Sequence, residues 1–374
     1  MGTPSITLEQ AKEAHKALCQ FGSQVAAAEA LNLSRGGLQG RLRAYESFVN
    51  RDPAIQASMD AVGTQMEPRL AWAKVPAKDG QPGYSVLLKP QDLPDDMLKR
   101  MREAFEGMEP ATEVATPQHT LDDLCTVYPI ADAHIGMMAW GRETGEDYDT
   151  KIACDRLRDW MGRCVASAPA SDTAVILDVG DGQHADDQSN QTPRSHHQLD
   201  VDTRHFRTLD MSIEALGAAV ELARQKHRNV IIRILPGNHN PTSYMAVMFA
   251  LAERYRNEPR VNVEKDPGEF FMMEWGRVML GAHHGHKAKP ERLVHFMADQ
   301  FAVMWGRTLH RYLYTAHEHH HRSADIGGVL WEKLRAMTAR DAHAYSNAFS
   351  ARAQIQAITY DKTRGEIHRV KVGL

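Results

Sequence analysis

The chain has 374 residues, 43% of them hydrophobic and 25% charged, with a formal net charge of -4 at neutral pH. That length calls for two or three folding units, and the composition excludes a collagen-like or disordered chain. The negative balance excludes a global attraction to nucleic acid, so any such contact needs a local basic face or bound cations. Cys19, Cys125, Cys154 and Cys164 stand apart with no CxxC spacing. A disulfide framework or zinc ribbon is therefore not expected, and a reducing cytoplasm suits the chain. The opening residues lack a hydrophobic core segment, so a secretory signal is not expected there, and no apolar run nears the ~20 residues that span a bilayer. A soluble, cytoplasmic protein is expected.

Residues 1–48 are expected to form a small three-helix domain. Ala11, Ala14 and Leu18 recur at helical spacing in the first helix, and Gly22 ends it. Ser23 is placed to cap a second helix through Val25, Ala27, Ala28 and Leu31. Ser34 is placed to cap a third, which turns Leu38 and Leu42 inward and Arg35, Gln39, Arg41 and Arg43 outward. Residues 49–124 read as a linker with two elements: a β-hairpin around the Asp-Gly-Gln-Pro-Gly turn at 79–83 and an amphipathic helix over 92–108. Residues 125–374 alternate strands and long helices, which predicts an α/β domain with functional loops at the strand C-termini. The tail returns to strands, with a hairpin around Lys362 to Gly365.

Five of the predicted strands end in metal-ligand side chains: Asp132 and His134, Asp181, Asn238, His284 or His286, and His317 with His319. Side chains two apart on a strand share a face. Asp132 and His134 would then converge on one ion, and so would His317 and His319 if their strand stays extended. The same parity leaves His284 and His286 equivalent. Asp181 follows an apolar run and sits beside Gly180, and its two oxygens suit it to bridge two cations. The donors are oxygen and imidazole nitrogen without thiolate, which suits manganese, iron or zinc alike; manganese is the expected ion, with iron and zinc as alternatives.

The series Asp132-Ala-His134, Gly180-Asp181-Gly-Gln-His184, Gly237-Asn238-His239-Asn240, His284-Gly285 and Ala316-His317-Glu-His319 resembles the motifs of the calcineurin-like metallophosphoesterase superfamily, over roughly residues 125–325. The resemblance implies a four-layer α/β/β/α sandwich binding two divalent metal ions. One ion takes Asp132, His134, Asp181 and His319; the other takes Asp181, Asn238, His284 and His317. It also implies a metal-bridging hydroxide as nucleophile and His239 as the non-ligand histidine that protonates the leaving oxygen. His184 resembles the histidine of the SbcD-like nuclease branch that helps to position DNA. Asn240 stands where an acidic residue is usual, and Ala316 where glycine is usual. The polar loop with Gln188, Asn190, Arg194, His196 and His197 is a candidate groove wall.

The second and third helices resemble a Fis-like helix-turn-helix, which implies that Arg35, Gln39, Arg41 and Arg43 face DNA. Gly36, Gly37 and Gly40 weaken that third helix by up to ~1 kcal/mol each relative to alanine. The pairing of the two modules resembles the gene content of phages. The expected function is a two-metal phosphoester hydrolase directed at DNA, with homodimerisation as seen among related nucleases. Two alternatives stand beside it. One is a small-molecule or cyclic-nucleotide phosphodiesterase whose first domain serves assembly; the other is a catalytically weak DNA-binding regulator.

Overall fold

The computed structural model describes residues 7–21, 23–49, 67–74, 83–89 and 110–374. The chain divides into two compact units, Met1–Arg102 and Glu103–Leu374. The predicted linker helix over 92–108 and the hairpin turn lie outside the described residues.

In the first unit, α1 (Leu8–Phe21), α2 (Gln24–Ala30) and α3 (Arg35–Val49) follow one another. The capping serines act as expected. Ser23 Oγ accepts a hydrogen bond from the Val25 amide at 3.3 Å, and Ser34 Oγ accepts one from Gly37 at 3.1 Å. Ala14, Ala27 and Leu38 form a small buried core, with Leu18 and Leu42 packed against it. Val25, two positions before Ala27, falls on the opposite face of α2 and is exposed. The strands β1 (Glu67–Lys74) and β2 (Gly83–Lys89) pair antiparallel, Glu67 opposite Lys89.

The second unit begins with β3 (Leu121–Ile130), α4 (Gly141–Thr144), α5 (Thr150–Ser167), β4 (Ser171–Asp178) and α6 (His205–Arg224). It continues with β5 (Asn229–Ile234), α7 (Tyr244–Arg254) and β6 (Val261–Val263). Then come β7 (Phe271–Trp275), β8 (Val278–Ala282), α8 (Pro290–Gln300), α9 (Ala302–Arg307) and β9 (His310–Thr315). It closes with β10 (Arg322–Ile326), β11 (Val329–Lys333), α10 (Ala342–Ser346), β12 (Gln354–Asp361) and β13 (Gly365–Gly373). One sheet has the order β13-β12-β3-β4-β5-β6 and the other β10-β11-β9-β8-β7. Strands β3 to β6 run parallel, and the β12–β13 hairpin adds an antiparallel edge. In the second sheet, β8, β9 and β11 are parallel.

Strand alternation explains why these strands are apolar on both faces. On β4, Val175 and Leu177 point toward the second sheet and pack with Leu280, Ala282 and Tyr314. Their neighbours Ala174 and Ile176 point the other way, into a layer built from Leu157 of α5, Leu216 of α6 and Leu251 of α7. Met279, Leu313 and Trp331 on the outer face of the second sheet meet Leu293, Val294 and Met297 of α8. The order helices, sheet, sheet, helix is a four-layer α/β/β/α sandwich, as expected. The Asp149 carboxylate caps α5 by accepting from the Ile152 amide at 2.7 Å, and Pro290 opens α8.

Arg224 is fully buried. Its guanidinium bridges Glu221 and Glu258 at 3.0 and 3.3 Å and donates to the Thr112 carbonyl. It thereby fastens the segment entering the domain. Cys125, Cys154 and Cys164 are free and buried, and burial pushes their thiols up, Cys154 to about 11. Among the described residues no helix is long and apolar enough to cross a membrane.

Candidate metal centre

The loops that leave the C-terminal ends of β3, β4, β5, β8 and β9 meet at one end of the sandwich. Three groups of donors converge there, each with its ligand atoms within 4.8 Å of one another. Two carry a carboxylate, Asp132 with His134 and His319, and Asp181 with His284 and His317; the third is all imidazole, His134 with His184 and His239. In the first, His134 Nε2 lies 3.3 Å from His319 Nε2, and His319 Nε2 lies 3.6 Å from Asp132 Oδ1. In the second, His284 Nε2 lies 3.0 Å from Asp181 Oδ2 and 3.1 Å from Asn238 Oδ1. Asn238 thus joins the second group. His317 and His319 are divided between the groups, as the family resemblance implies and as strand parity alone does not.

The backbone explains why parity fails. Strands β3 and β9 end at Ile130 and Thr315, before their ligands. Asp132, His134, Asp181, His317 and His319 all adopt left-handed conformations, with φ of 48°, 44°, 55°, 75° and 59°. Such a conformation costs a residue other than glycine on the order of 1–3 kcal/mol. Asp132 and His134 therefore converge through a left-handed turn and not through strand alternation.

Neighbouring loops hold that turn. The amides of Asp132, His134 and Ile135 donate to the carbonyls of Gly180, Asp181 and Gly182, and those of Met337 and Thr338 donate to Ala131 and Asp132. Gly180 and Gly237 permit the close approach. A Cβ on Gly237 would stand 1.9 Å from Asp181 Oδ1, and one on Gly180 (φ 98°) would stand 2.6 Å from His284 Nδ1. Ala316 is not among the positive-φ residues, so no glycine is needed there.

Burial lowers the pKa values of the imidazoles. His134 falls well below its usual range, His319 falls to about 4 and His317 is also lowered. These rings are neutral at pH 7 and keep a lone pair for a cation. Burial opposes a charge on His284 too, but the Asp181 carboxylate outweighs it and raises that imidazole to about 9. Burial raises Asp132 to about 7. Among the described residues no lysine or arginine pairs with Asp132 or Asp181. Two buried carboxylates that no lysine or arginine neutralises, beside His134, His317 and His319 held neutral, fit a pair of divalent cations. A cation at Asp181 would take the place of the proton that Asp181 otherwise favours on His284.

Three neighbouring positions refine the expectations. His184 is 2% exposed and its Nδ1 lies 3.0 Å from His134 Nδ1. It sits behind a ligand, and its ring is not among the groups that line the adjoining cavity. His239 Nδ1 donates to the His184 carbonyl at 2.8 Å, so its orientation is set by backbone and not by residue 240. Asn240 instead ties loops together: its Oδ1 accepts from the Asp181 and Gly237 amides at 3.1 and 3.0 Å, and its Nδ2 donates to Gln183 at 2.8 Å. His286 stands beside His284, ring centroids 5.2 Å apart, but belongs to none of the donor groups.

Asp178 was not anticipated from sequence. It ends β4, is 2% exposed, accepts from the Gly180 amide at 3.0 Å and is raised to about 7 by burial. Its only signal was an acidic residue closing an apolar strand.

The centre opens into a cavity of about 1050 Å³ whose lining includes much of the segment 335–353. Of the loop residues expected at a groove, His197 lines it, whereas Gln188, Asn190, Arg194 and His196 do not.

In the first unit, Arg35, Gln39 and Arg43 follow at four-residue spacing and share a face of α3. Arg35 and Arg43 are exposed, and Gln39 reaches Gln24 at 3.4 Å. Arg41 falls between those turns and lies against α1, where it pairs with Glu13 at 3.6 Å and is 21% exposed. It is therefore not part of the free face expected of it.

No protein family and no curated protein matches the chain. Among solved structures it resembles a dimetal phosphatase from Danio rerio, with 9% identity over 67% of this chain and 99% of that one, and a TM-score of 0.37. It also resembles a novel archaeal phosphodiesterase, with 12% identity over 67% and 99% of the two chains and a TM-score of 0.34. A third is a predicted phosphoesterase from Streptococcus pneumoniae TIGR4, with 11% identity over 67% and 98% and a TM-score of 0.28. Likenesses this distant carry no argument about activity.

Proposed function

We propose that the chain is a metal-dependent phosphoester hydrolase acting on nucleic-acid phosphodiesters. The observation that carries this reading is the pair of carboxylate-bearing donor groups, with the Asp181 carboxylate acting on His134 and His319 of the first as well as on His284 of the second, and with His239 outside both. Asp132, His134, Asp181 and His319 would hold one divalent cation, and Asp181, Asn238, His284 and His317 the other. When bound, such a pair of ions supplies an activated water and neutralises charge on the phosphoryl oxygens.

The remaining steps belong to side chains. His239 spends its Nδ1 proton on the His184 carbonyl, so Nε2 is the atom free to give a proton to the leaving oxygen. His184 shares a hydrogen bond with His134 and acts as a positioning residue that fixes which nitrogen of His134 faces the cation. The amide of His239 donates to Asp181 Oδ1 at 2.7 Å. That bond keeps the proton donor and the shared carboxylate in register.

A nucleic-acid substrate is supported by the exposed Arg35 and Arg43 on α3, which would reach phosphates, and by the cationic residues of the cavity. The test is a panel of linear, nicked and single-stranded DNA beside bis-p-nitrophenyl phosphate, run with manganese, zinc and iron. Cleavage of at least one DNA form is expected. Hydrolysis of the small diester with every DNA form left intact would replace this reading with a small-molecule phosphodiesterase. No turnover of either would leave a DNA-binding regulator.

A further inference from the structure

One wall of the cavity beside the metal centre carries groups that the hydrolytic machinery does not use. Residues 341–353 run from α10 to the start of β12 and bound the cavity. Phe349 lies in this wall and is 60% exposed, although a phenylalanine gains by burial. Its backbone is not loose: the Phe349 amide donates to the Ala344 carbonyl at 2.9 Å, and Ala348 before it takes a left-handed turn with φ of 58°. A defined turn thus places Phe349 at the cavity, with its side chain largely exposed.

The cations of the wall divide in two. Arg340 is engaged, donating to the Thr144 carbonyl at 3.1 Å and lying over the Tyr345 ring. Arg335 and Arg352 line the same cavity, yet neither has a hydrogen-bond acceptor or carboxylate among the described residues. Arg335 is half-buried and Arg352 exposed, and the guanidinium nitrogens of Arg335 are not among the sealed, unpartnered atoms, so both groups stay open to a ligand. Arg335 directly precedes Ala336, whose amide donates to the His319 carbonyl at 3.4 Å, so it sits one residue from a strap on a metal ligand. The lining acids are Asp181, Asp200, Glu318 and Asp341, and none of them pairs with either arginine. Asp341 caps α10 through the Ala344 amide at 2.7 Å, and Glu318 is held by Lys333.

An exposed aromatic face and two unengaged guanidinium groups, in one cavity with a phosphoester-cleaving centre, match an unpaired nucleotide. Aromatic stacking takes any base that is not already stacked in a duplex, and arginine takes phosphate in a bidentate fork. The volume of about 1050 Å³ lies at the top of the range for small-ligand pockets, which leaves room for a nucleotide beside the scissile phosphate. We infer that this wall is a subsite for the unpaired nucleotide flanking the cleaved bond, with Phe349 as its stacking platform and Arg335 and Arg352 as its phosphate grips. The inference rests on the proposed phosphodiesterase reading and narrows it: strand ends and single strands are preferred over blunt duplex.

The test uses the full chain loaded with manganese and DNA carrying 2-aminopurine, either at an unpaired terminal position or inside a duplex. The unpaired probe should be quenched on binding, and Phe349→Ala should abolish that quench while Phe349→Trp retains it. Phe349→Ala should also lower the single-strand over duplex ratio of kcat/KM by about tenfold, within what base–aromatic stacking contributes. Arg335→Gln and Arg352→Gln should each flatten the logarithmic salt dependence of single-strand binding by about 0.7. Thermal stability and metal content of each variant establish that it is folded.

Quenching that depends on Phe349 without any cleavage upholds the subsite and sinks the hydrolase reading. Cleavage whose quench and strand preference ignore Phe349 overturns the subsite and leaves the hydrolase. Neither binding nor cleavage overturns both.

Discussion

At the scale of single residues, two histidines have opposite fates. His239 has one nitrogen committed to the His184 carbonyl and the other free. Replacing it with asparagine should lower kcat for diester hydrolysis by ~10²–10⁴, the usual worth of a general acid, with metal content unchanged by elemental analysis. His227, far from the metal ligands in sequence, has both nitrogens committed: Nε2 to the Tyr128 hydroxyl at 2.7 Å and Nδ1 to the Ser171 carbonyl at 2.9 Å. Burial lowers it from 6.5 to about 4. The folded state thus holds His227 neutral while the unfolded chain takes up a proton below pH 6.5. Its contribution to stability is complete above pH 6.5 and is lost as pH falls through 4. The gap in urea stability between the wild type and His227→Gln should therefore be widest above pH 6.5 and close toward pH 4. A gap that stays constant over that range would show that His227 does not titrate as its burial demands.

At the scale of elements, the centre is a set of loops held by other loops. The Gly237→Ala prediction follows, since a methyl group would overlap the Asp181 carboxylate at 1.9 Å. Either Asp181 or the β5 loop must shift. Manganese affinity measured by calorimetry should collapse, while the far-ultraviolet circular dichroism of the sandwich persists. The same loops show what was legible beforehand. Asp132, His134, Asp181, Asn238, His284, His317 and His319 could be found because few other side chains offer oxygen and imidazole donors at the ends of apolar strands. How they converge could not, because strand alternation was extended past Ile130 and Thr315 into residues with left-handed backbone. Asp178 looked like an ordinary strand terminus, and the free state of Arg335 and Arg352 depends on partners that only tertiary structure brings or withholds. Asn240 seemed a lost charge because its amide contacts, to Asp181, Gly237 and Gln183, join segments far apart in sequence.

At the scale of the molecule, the alternation of strands and helices predicts an α/β domain and the family resemblance adds the four layers, whereas the segment before residue 110 offers only local patterns. The three-helix unit and the sandwich are separate compact bodies, so their contributions to substrate capture can be separated experimentally. Deleting residues 1–48 should weaken DNA binding in a mobility-shift titration and spare hydrolysis of bis-p-nitrophenyl phosphate, because a tethered binding head raises local substrate concentration without entering the chemistry. Unchanged DNA affinity would remove α3 from any role in capture.

Each carboxylate-bearing donor group draws on both sheets. Asp132 and His134 follow β3 and Asp181 follows β4, whereas His284 follows β8 and His317 and His319 follow β9. Each cation would therefore act as a staple through the seam between the layers. An intermediate with only the first sheet finished would lack His319 of the first ligand set and His284 and His317 of the second, so full metal uptake would signal that both sheets are assembled. Chelation should accordingly speed hydrogen exchange at β4 and β8 amides facing that seam, more than at those beneath the outer helices. Equal protection with and without metal would mean that the seam holds by packing alone.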